Sequence, residues 1–258
     1  MYVCIFYMKT MRNTVIYTCI IENYDSLMNP VAVDPEFDYI CFVKKGKKLS
    51  EKAGIWEIRE VDINDKNPVI LSRYPKINPH ILLPEYKYSV WIDGNILIKD
   101  MFFFDAIREK IKNGIPYSGM KHWERDCAYE EIEACLDARI ESRIRLIKAL
   151  AFLKMHKFPK HYGLYENNVI FRCHNDPDII RFDSLWWHFF TNFTYRDQIM
   201  HPYCMQKCGI SFDYLLPPPY CSRNHWSLQC IEHSMERKYY WHRHNLNKKL
   251  NSIIKKFI

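Results

Sequence analysis

Four short runs of β-branched and aromatic residues constrain the fold of this chain more than any other feature. They are TVIYTCII at 14–21, YICFV at 39–43, GIWEIR at 54–59 and SVWI at 89–92. Short apolar runs of this kind are typical of buried strands. Because the gaps between them leave room for crossover connections, the pattern predicts an α/β fold with a mostly parallel central sheet flanked by helices.

The fourth run ends in the sequence Asp93-Gly94-Asn95. An ionised carboxylate is not left unpaired in a core, so Asp93 is expected to face a cleft, a cation or a cap. Gly94 permits a tight backbone, and Asn95 adds a neutral oxygen ligand. This arrangement suits an enzyme that binds a nucleotide diphosphate through a divalent metal. The alternative is a plain turn, because Asp-Gly and Gly-Asn are common turn dipeptides.

Length and composition predict a globular protein. The chain has 258 residues, of which 48% are hydrophobic and 16% aromatic, enough for one large domain, which we assign to residues 1–245. No apolar run approaches the ~20 residues of a membrane span, and the start lacks the layout of a secretory signal, so we expect a cytoplasmic location. The ten scattered cysteines are expected to be reduced thiols.

The net charge of +7 favours anionic partners. A nucleic acid is not expected, because the basic residues do not interleave with aromatics in any recognisable module. At the C-terminus, residues 246–258 read as a basic amphipathic helix. Its apolar face and its lysines are Leu246, Leu250, Ile253, Ile254 and Phe257, and Lys248, Lys249, Lys255 and Lys256. Such a helix can lie peripherally on an anionic membrane, or it can dock on its own domain or in a dimer.

Several later segments carry helix and strand signals. Apolar residues from Ile132 to Ala151 at three- and four-residue steps predict one amphipathic helix. Gly163 to Asn168 reads as a polar loop before a strand at 169–173, and Asp176-Pro177 as a helix start. Thr194 and Asp197 fit a helix capping pattern. Alternatively, Asp197 is an ionised carboxylate at a helix N-terminus that acts as a general base.

The ordered set of motifs resembles a known family. The segments YTCIIENYD, DYICFV, SRYPKINPHILLPEYKYSVWIDGN, HWERDCAYEE, GLYENNVIFRCHND and YRDQ, which span about Thr14 to Trp241, are similar to the TOD1/MUCI70-type glycosyltransferase-like domain family. The resemblance implies a GT-A type nucleotide-binding sandwich. In that fold the loop after the first strand approaches the nucleotide, and the acid-containing turn holds the metal and the donor diphosphate.

The resemblance also implies roles for individual residues. Those expected near the nucleotide and donor are Asn23, Tyr24, Asp25, Arg73, Lys76 and His80, with Asp93, Gly94 and Asn95 at the metal turn. Those expected on the sugar and acceptor side are His122, Arg125, Tyr129, Glu130, Glu166, Asn167 and Gln198. The candidate catalytic residues are Asp197 as base, with Glu166 and Arg196. A late histidine often supplies a third metal ligand in such enzymes, and His233 is favoured here.

The reaction implied by the resemblance is metal-assisted sugar transfer. The expected donor is a UDP-linked nucleotide sugar, with Mn²⁺ or Mg²⁺, and the expected acceptor is a hydroxyl of a polysaccharide or glycolipid. Asn95 stands where many such enzymes carry a second acid, so the site is expected to bind metal more weakly without donor phosphates. A base at Asp197 predicts inversion; without a base, retention assisted by the donor phosphate remains open. The alternative function is a non-catalytic module that binds nucleotide sugars or glycans.

Overall fold

The computed structural model describes residues 12–22, 24–47, 53–233 and 251–257. This part of the chain contains both strands and helices. The strands are β1 (Thr14–Ile20), β2 (Asp38–Lys44), β3 (Glu57–Val61), β4 (Tyr88–Ile92), β5 (Ile96–Ile98), β6 (Tyr117–Lys121), β7 (Tyr165–Arg172) and β8 (Leu228–Cys230). The helices are α1 (Pro68–Ile77), α2 (Pro79–Leu82), α3 (Phe102–Lys112), α4 (Ala128–Ala138), α5 (Arg143–Met155), α6 (Pro177–Asn192) and α7 (Asp197–Cys208). Residues 251–255 are also helical.

Six strands form the central sheet in the order β3-β2-β1-β4-β7-β6. The pairs from β3 to β4 are parallel, whereas β7 is antiparallel to both β4 and β6. It follows that β7 alone runs against the other five strands. This mostly parallel sheet confirms the predicted α/β class and puts the carboxyl ends of β1 and β4 at the same edge as the start of β7.

The two faces of the sheet pack into two separate cores because neighbouring side chains on a strand point to opposite faces. On β1, Val15 and Tyr17 belong to the core that includes α4, α5, α6 and α7. Ile16 and Ile20 belong to the other core, which α3 covers with Phe103 and Phe104. All seven residues of β1 are buried, as expected of a central strand with helices on both sides.

The single helix predicted between Ile132 and Ala151 is wrong. Arg139 adopts the left-handed conformation, with φ of 54°, and ends α4, and α5 begins only at Arg143. The apolar series does not lie on one buried face, because Ile144 is 79% exposed and Ile147 is 42% exposed.

Two further local predictions need correction, and a third is confirmed. Tyr165 to Asn168 are not a loop but the buried first half of β7, because Lys121 of β6 pairs with Tyr165 and the backbone N–H of Asp93 donates to the carbonyl of Asn168. Thr194 does not cap α7, whose N-cap is Arg196; its hydroxyl instead accepts a hydrogen bond from the backbone N–H of Arg196 at 3.0 Å. Asp176 does cap α6, accepting from the N–H groups of Asp178 and Ile179.

The C-terminal helical segment contacts α4. Asn251 donates to the carbonyl of Leu136 at 2.9 Å, and Lys255 pairs with Asp137 at 2.7 Å. Ile254 is buried, whereas Ile253 and Phe257 are exposed. These contacts support the docking alternative for this segment; Leu246, Lys248, Lys249 and Leu250 lie outside the described residues. No helix in the described ranges has the length and apolar character needed to cross a bilayer.

Candidate active site

The turn after β4 places the carboxylate of Asp93 at the carboxyl edge of the sheet. Asp93 Oδ1 accepts a hydrogen bond from the indole Nε1 of Trp91 at 2.7 Å and lies 3.4 Å from the ammonium of Lys76. The Asp93 side chain is 27% exposed, so it has two contacts within the protein and is still open to solvent. The backbone N–H of Asp93 donates to the carbonyl of Asn168 at 2.8 Å, which ties the turn to β7.

Basic residues from α1 converge on this turn. Lys76 Nζ lies 2.6 Å from Asp197 Oδ2, and Arg73 Nε lies 3.4 Å from the same oxygen. Arg73 and Lys76 share one face of α1, three residues apart, even though Pro75 lies inside the helix. Arg73 Nε makes no hydrogen bond among the described residues and contacts Asp197 only as an ion pair. Buried donors usually have a hydrogen-bond partner, so this guanidinium could also donate to a ligand.

The carboxyl of Asp197 is the anion at the centre of these cations. Burial raises its pKa, but Lys76, Arg73 and Arg196 outweigh burial and hold the pKa well below its ordinary range. Asp197 is 6% exposed. A buried carboxylate with such a low pKa is a weak proton acceptor, so its contacts favour a role in positioning the cations over the predicted role as base.

The loop after β1 meets the turn from the other side. Because β1 and β4 are parallel neighbours, their carboxyl ends share one edge, and a Cβ on Gly94 would lie 3.4 Å from Asp25 Cβ. Asp25 Oδ1 lies 2.8 Å from His233 Nδ1, and the His233 ring packs against Tyr24 with centroids 4.7 Å apart. Asn23 lies outside the described residues. Tyr24, Asp25 and His233 thus border the turn together.

A third group of polar side chains lies at the start of β7. The buried carboxylate of Glu166 accepts hydrogen bonds from Ser222 Oγ at 2.5 Å, Arg223 Nε at 3.1 Å and Asn168 Nδ2 at 3.3 Å. Asn168 links this group to the Asp93 turn, because its carbonyl accepts from the backbone N–H of Asp93 while its side chain donates to Glu166.

Glu131, a residue of α4, contacts Arg196 at the start of α7. This fully buried carboxylate accepts from Arg196 Nε and from Arg125 Nε, each at 2.9 Å, and lies 3.8 Å from His122 Nε2. Glu131 was not predicted as a site residue; the neighbouring Glu130 was. The helical register could have found it, because Glu131 is four residues from both Cys127 and Cys135, which face the core.

The other predicted site residues, His80, Glu130 and Gln198, make contacts of their own. His80 Nδ1 lies 3.9 Å from Asp183 Oδ2, beside the fully buried Arg172–Asp183 pair. Glu130 lies near Cys127 and His161, away from the Asp93 turn. Gln198 donates to the carbonyls of Tyr165 and Glu166, which supports the edge of β7.

Asn167 adopts a left-handed backbone at the start of β7. Its φ is 58°, its side chain is fully buried, and its Nδ2 lies 3.5 Å from the carbonyl of Asp197. Asparagine tolerates this conformation better than most residues. The side chain therefore links the start of β7 to the start of α7.

The donors around the turn suit a divalent metal. The hydrogen bond from Asn95 to the carbonyl of Ile231 uses its amide nitrogen at 2.9 Å, so its oxygen can serve as a ligand. The pair with Asp25 involves His233 Nδ1, so Nε2 can serve as a ligand. A carboxylate oxygen, an amide oxygen and an imidazole nitrogen are ligand types that Mn²⁺ or Mg²⁺ accepts, and Asp93, Asn95 and His233 could supply them. In the described residues, the one group of three acid, cysteine or histidine ligand atoms already close together is Cys127, Glu130 and His161.

The cations at the carboxyl edge of the mostly parallel sheet form a site suited to an anionic ligand. Residues 4–216 match the family described as TOD1/MUCI70, glycosyltransferase-like domain. The chain belongs to this family, as its ordered motifs predicted. Together with the mostly parallel sheet, the family confirms the predicted GT-A type fold.

Individual proteins are similar to this chain at lower identity. The probable hexosyltransferase MUCI70 of Arabidopsis thaliana is 26% identical over 218 residues, which cover 74% of this chain. The galactosyltransferase LgtC, solved with donor and acceptor sugar analogs, shares 8% identity with a TM-score of 0.47, covering 93% of this chain and 95% of that one. Core-mannan synthase A of Aspergillus fumigatus, in a Mn/GDP form, shares 11% identity with a TM-score of 0.43, covering 75% and 69%. The chain matches 37% of the length of the Arabidopsis relative.

Proposed function

We propose that this chain is a hexosyltransferase that moves a sugar from a UDP-sugar to a hydroxyl of a polysaccharide or glycolipid. The observation that carries the proposal is the convergence of Lys76, Arg73 and Arg196 beside the Asp93 turn at the carboxyl edge of the sheet. In α/β sheets, ligands bind beyond the carboxyl ends of the strands. Membership of a glycosyltransferase-like family and the name of the Arabidopsis relative support the same reaction.

The basic residues would hold the donor diphosphate. The Arg73 side chain is 32% exposed, and its Nε contacts Asp197 as an ion pair without a hydrogen bond, so its guanidinium can also donate to a phosphate oxygen. Lys76 is held in place by Asp93 and Asp197. A divalent metal bound by Asp93, Asn95 and His233 would add positive charge next to the departing diphosphate. Tyr24 and Asp25, at the end of β1, would contact the nucleoside.

The two candidate catalytic carboxylates both have fixed partners. Asp197 faces Lys76 and Arg73, and Glu166 accepts from Ser222 and Arg223. The cations around Asp197 lower its pKa and make it a weak base. We therefore propose that Asp197 positions the cations and that Glu166 binds an acceptor hydroxyl. This favours the retaining alternative, in which the donor phosphate assists the transfer.

His122 and Arg125 would form the far wall of the sugar site. Arg125 and Arg196 share the carboxylate of Glu131, so one buried acid fixes both guanidinium groups. Two fixed cations can orient a charged or hydroxyl-rich ligand with little loss of side-chain entropy. Glu130 would lie outside this wall, beside His161.

The proposed location is the cytoplasm, at the inner face of a membrane when the acceptor is lipid-linked. Ile253 and Phe257, which are 47% and 63% exposed, offer an apolar surface next to Lys256. Exposed apolar groups beside lysines bind anionic bilayers. Flotation with anionic liposomes tests this location: the I253S/F257S variant should float less than the wild type, and equal flotation of the two would remove the membrane proposal.

Turnover of a panel of nucleotide sugars tests the proposed function. Release of UDP or GDP should depend on Mn²⁺ or Mg²⁺ and should be lost in D93N, where the metal-binding carboxylate becomes an amide. D105N is the matched control, because Asp105 is an exposed acid on α3. Nucleotide binding without release would favour the non-catalytic module, and failure of every nucleotide sugar to bind would refute both.

A further inference from the structure

Trp123 is a large aromatic side chain that the fold leaves open to solvent. It is 53% exposed, although the residue before it, His122, is buried. Exposing half of an indole forgoes much of the free energy that its burial would supply. The exposed indole is therefore a candidate surface for binding a ligand.

The loop that carries Trp123 is fixed in place. His122 Nδ1 accepts from the backbone N–H groups of Glu124 and Arg125, at 3.2 and 3.0 Å. The backbone N–H of His122 donates to the carbonyl of Leu164 at 3.1 Å. Because the inward-pointing imidazole closes the turn, the backbone that carries the indole is fixed and loses little entropy when a ligand binds.

Arg223 connects Trp123 to the candidate active site. Its guanidinium carbon lies 5.5 Å from the centroid of the indole ring. Its Nε lies 3.1 Å from Glu166 Oε1, and its side chain is 50% exposed. The Arg223 guanidinium therefore lies between a molecule that stacks on Trp123 and the carboxylate of Glu166.

The surroundings of the indole favour a sugar over a protein partner. The neighbours of Trp123 are charged: Glu124 and Arg223 are exposed, and Arg125 is partly exposed. A protein interface core is depleted of such charges and offers a wider apolar area. A pyranose matches this surface, because one face of its ring is apolar and its rim carries hydroxyls that a guanidinium and a carboxylate can bind.

We propose that Trp123 and Arg223 form a subsite for a pyranose unit of the acceptor glycan, a role that rests on the proposed transferase function. The ring of the sugar stacks on the exposed indole, and the Arg223 guanidinium binds its hydroxyls. Glu166 then receives the neighbouring part of the acceptor. Trp123 is a binding residue in this arrangement and takes no part in bond breaking.

Fluorine NMR of protein labelled with 5-fluorotryptophan tests the subsite directly. The chain has seven tryptophans, and the variants W123F and W226F assign the two resonances that matter. Trp226 is the matched control, because it is 56% exposed and packs against Phe102 and His225. The probes are methyl β-D-galactopyranoside and methyl β-D-glucopyranoside, with open-chain sorbitol as a polyol that lacks a ring face.

A saturable shift of the Trp123 resonance with either pyranoside, and no shift with sorbitol, is the expected result. The Trp226 resonance should stay in place, and R223Q should reduce the response. No shift at Trp123, equal shifts at both tryptophans, or an equal effect of sorbitol would each overturn the subsite. Titration of the same samples with UDP separates the two proposals, since W123F should bind UDP as the wild type does. A wild type that binds no nucleotide defeats the transferase proposal instead.

Discussion

Two carboxylates share the ammonium group of Lys76, which is 2% exposed. Removing one partner of a buried ion pair leaves an uncompensated charge and costs about 3–5 kcal/mol. K76M should therefore lower the free energy of unfolding by about 3 kcal/mol, and K76M/D197N should recover part of the loss. Urea unfolding at neutral pH measures both. K45M is the control, because the Lys45–Asp62 pair is exposed, and it should unfold like the wild type. Equal midpoints for K76M and K45M would contradict this role of Lys76.

Buried histidines make the stability depend on pH. Burial lowers the pKa of His122 and of His174 from 6.5 to about 4. The unfolded chain then takes up protons first as the pH falls, so the stabilisation is complete above about 6.5 and is lost between there and about 4. The shift amounts to about 3 kcal/mol for each histidine.

We expect the urea midpoint to fall steadily across this range of pH. H174Q, which can still donate to the carbonyl of Leu83, should flatten the dependence by its own share. A midpoint that stays constant from pH 7 to about pH 4 would show that these imidazoles are already solvated in the folded state.

The turn after β4 has no space for an additional carbon atom. A Cβ on Gly94 would lie 2.6 Å from Ile20 Cδ1, so G94A should force the turn away from β1. Overpacking of this kind costs about 1–3 kcal/mol, and here it should also weaken nucleotide binding. The double variant I20V/G94A removes that Cδ1 atom and should restore binding. Calorimetric titration with UDP measures the effect, and a double variant as weak as G94A would refute the steric explanation.

The C-terminal helical segment offers a pair of adjacent isoleucines with different environments. Ile254 is 8% exposed and packs in the core with α4, whereas Ile253 is 47% exposed. I254A should cost about 2–3 kcal/mol of unfolding free energy, and I253A less than about 0.5 kcal/mol. Thermal or urea unfolding of the two variants gives the comparison. Equal stability of the two would mean that the segment is not docked on α4 in solution.

At the scale of the whole molecule, strand composition predicted the sheet because buried central strands have a clear signature. β1, β2 and β4 lie where their apolar runs are, and Asp93 lies at the edge where parallel strands end. Helix breaks were harder to predict, because Arg139 turns the chain without a glycine or proline. Arg223 was missed because a tertiary contact with Glu166, rather than local sequence, gives it its partner, whereas the register of α4 indicates that Glu131 faces the core.

The central claim is that the Asp93 turn and the neighbouring cations bind a nucleotide diphosphate together with a metal. Isothermal titration of UDP, with Mn²⁺ and with a chelator, tests it most directly in the wild type, D93N and D105N. We predict that Mn²⁺ strengthens UDP binding to the wild type and to D105N, and that D93N loses this gain. Equal UDP affinity of D93N and the wild type in the presence of Mn²⁺ would contradict the claim.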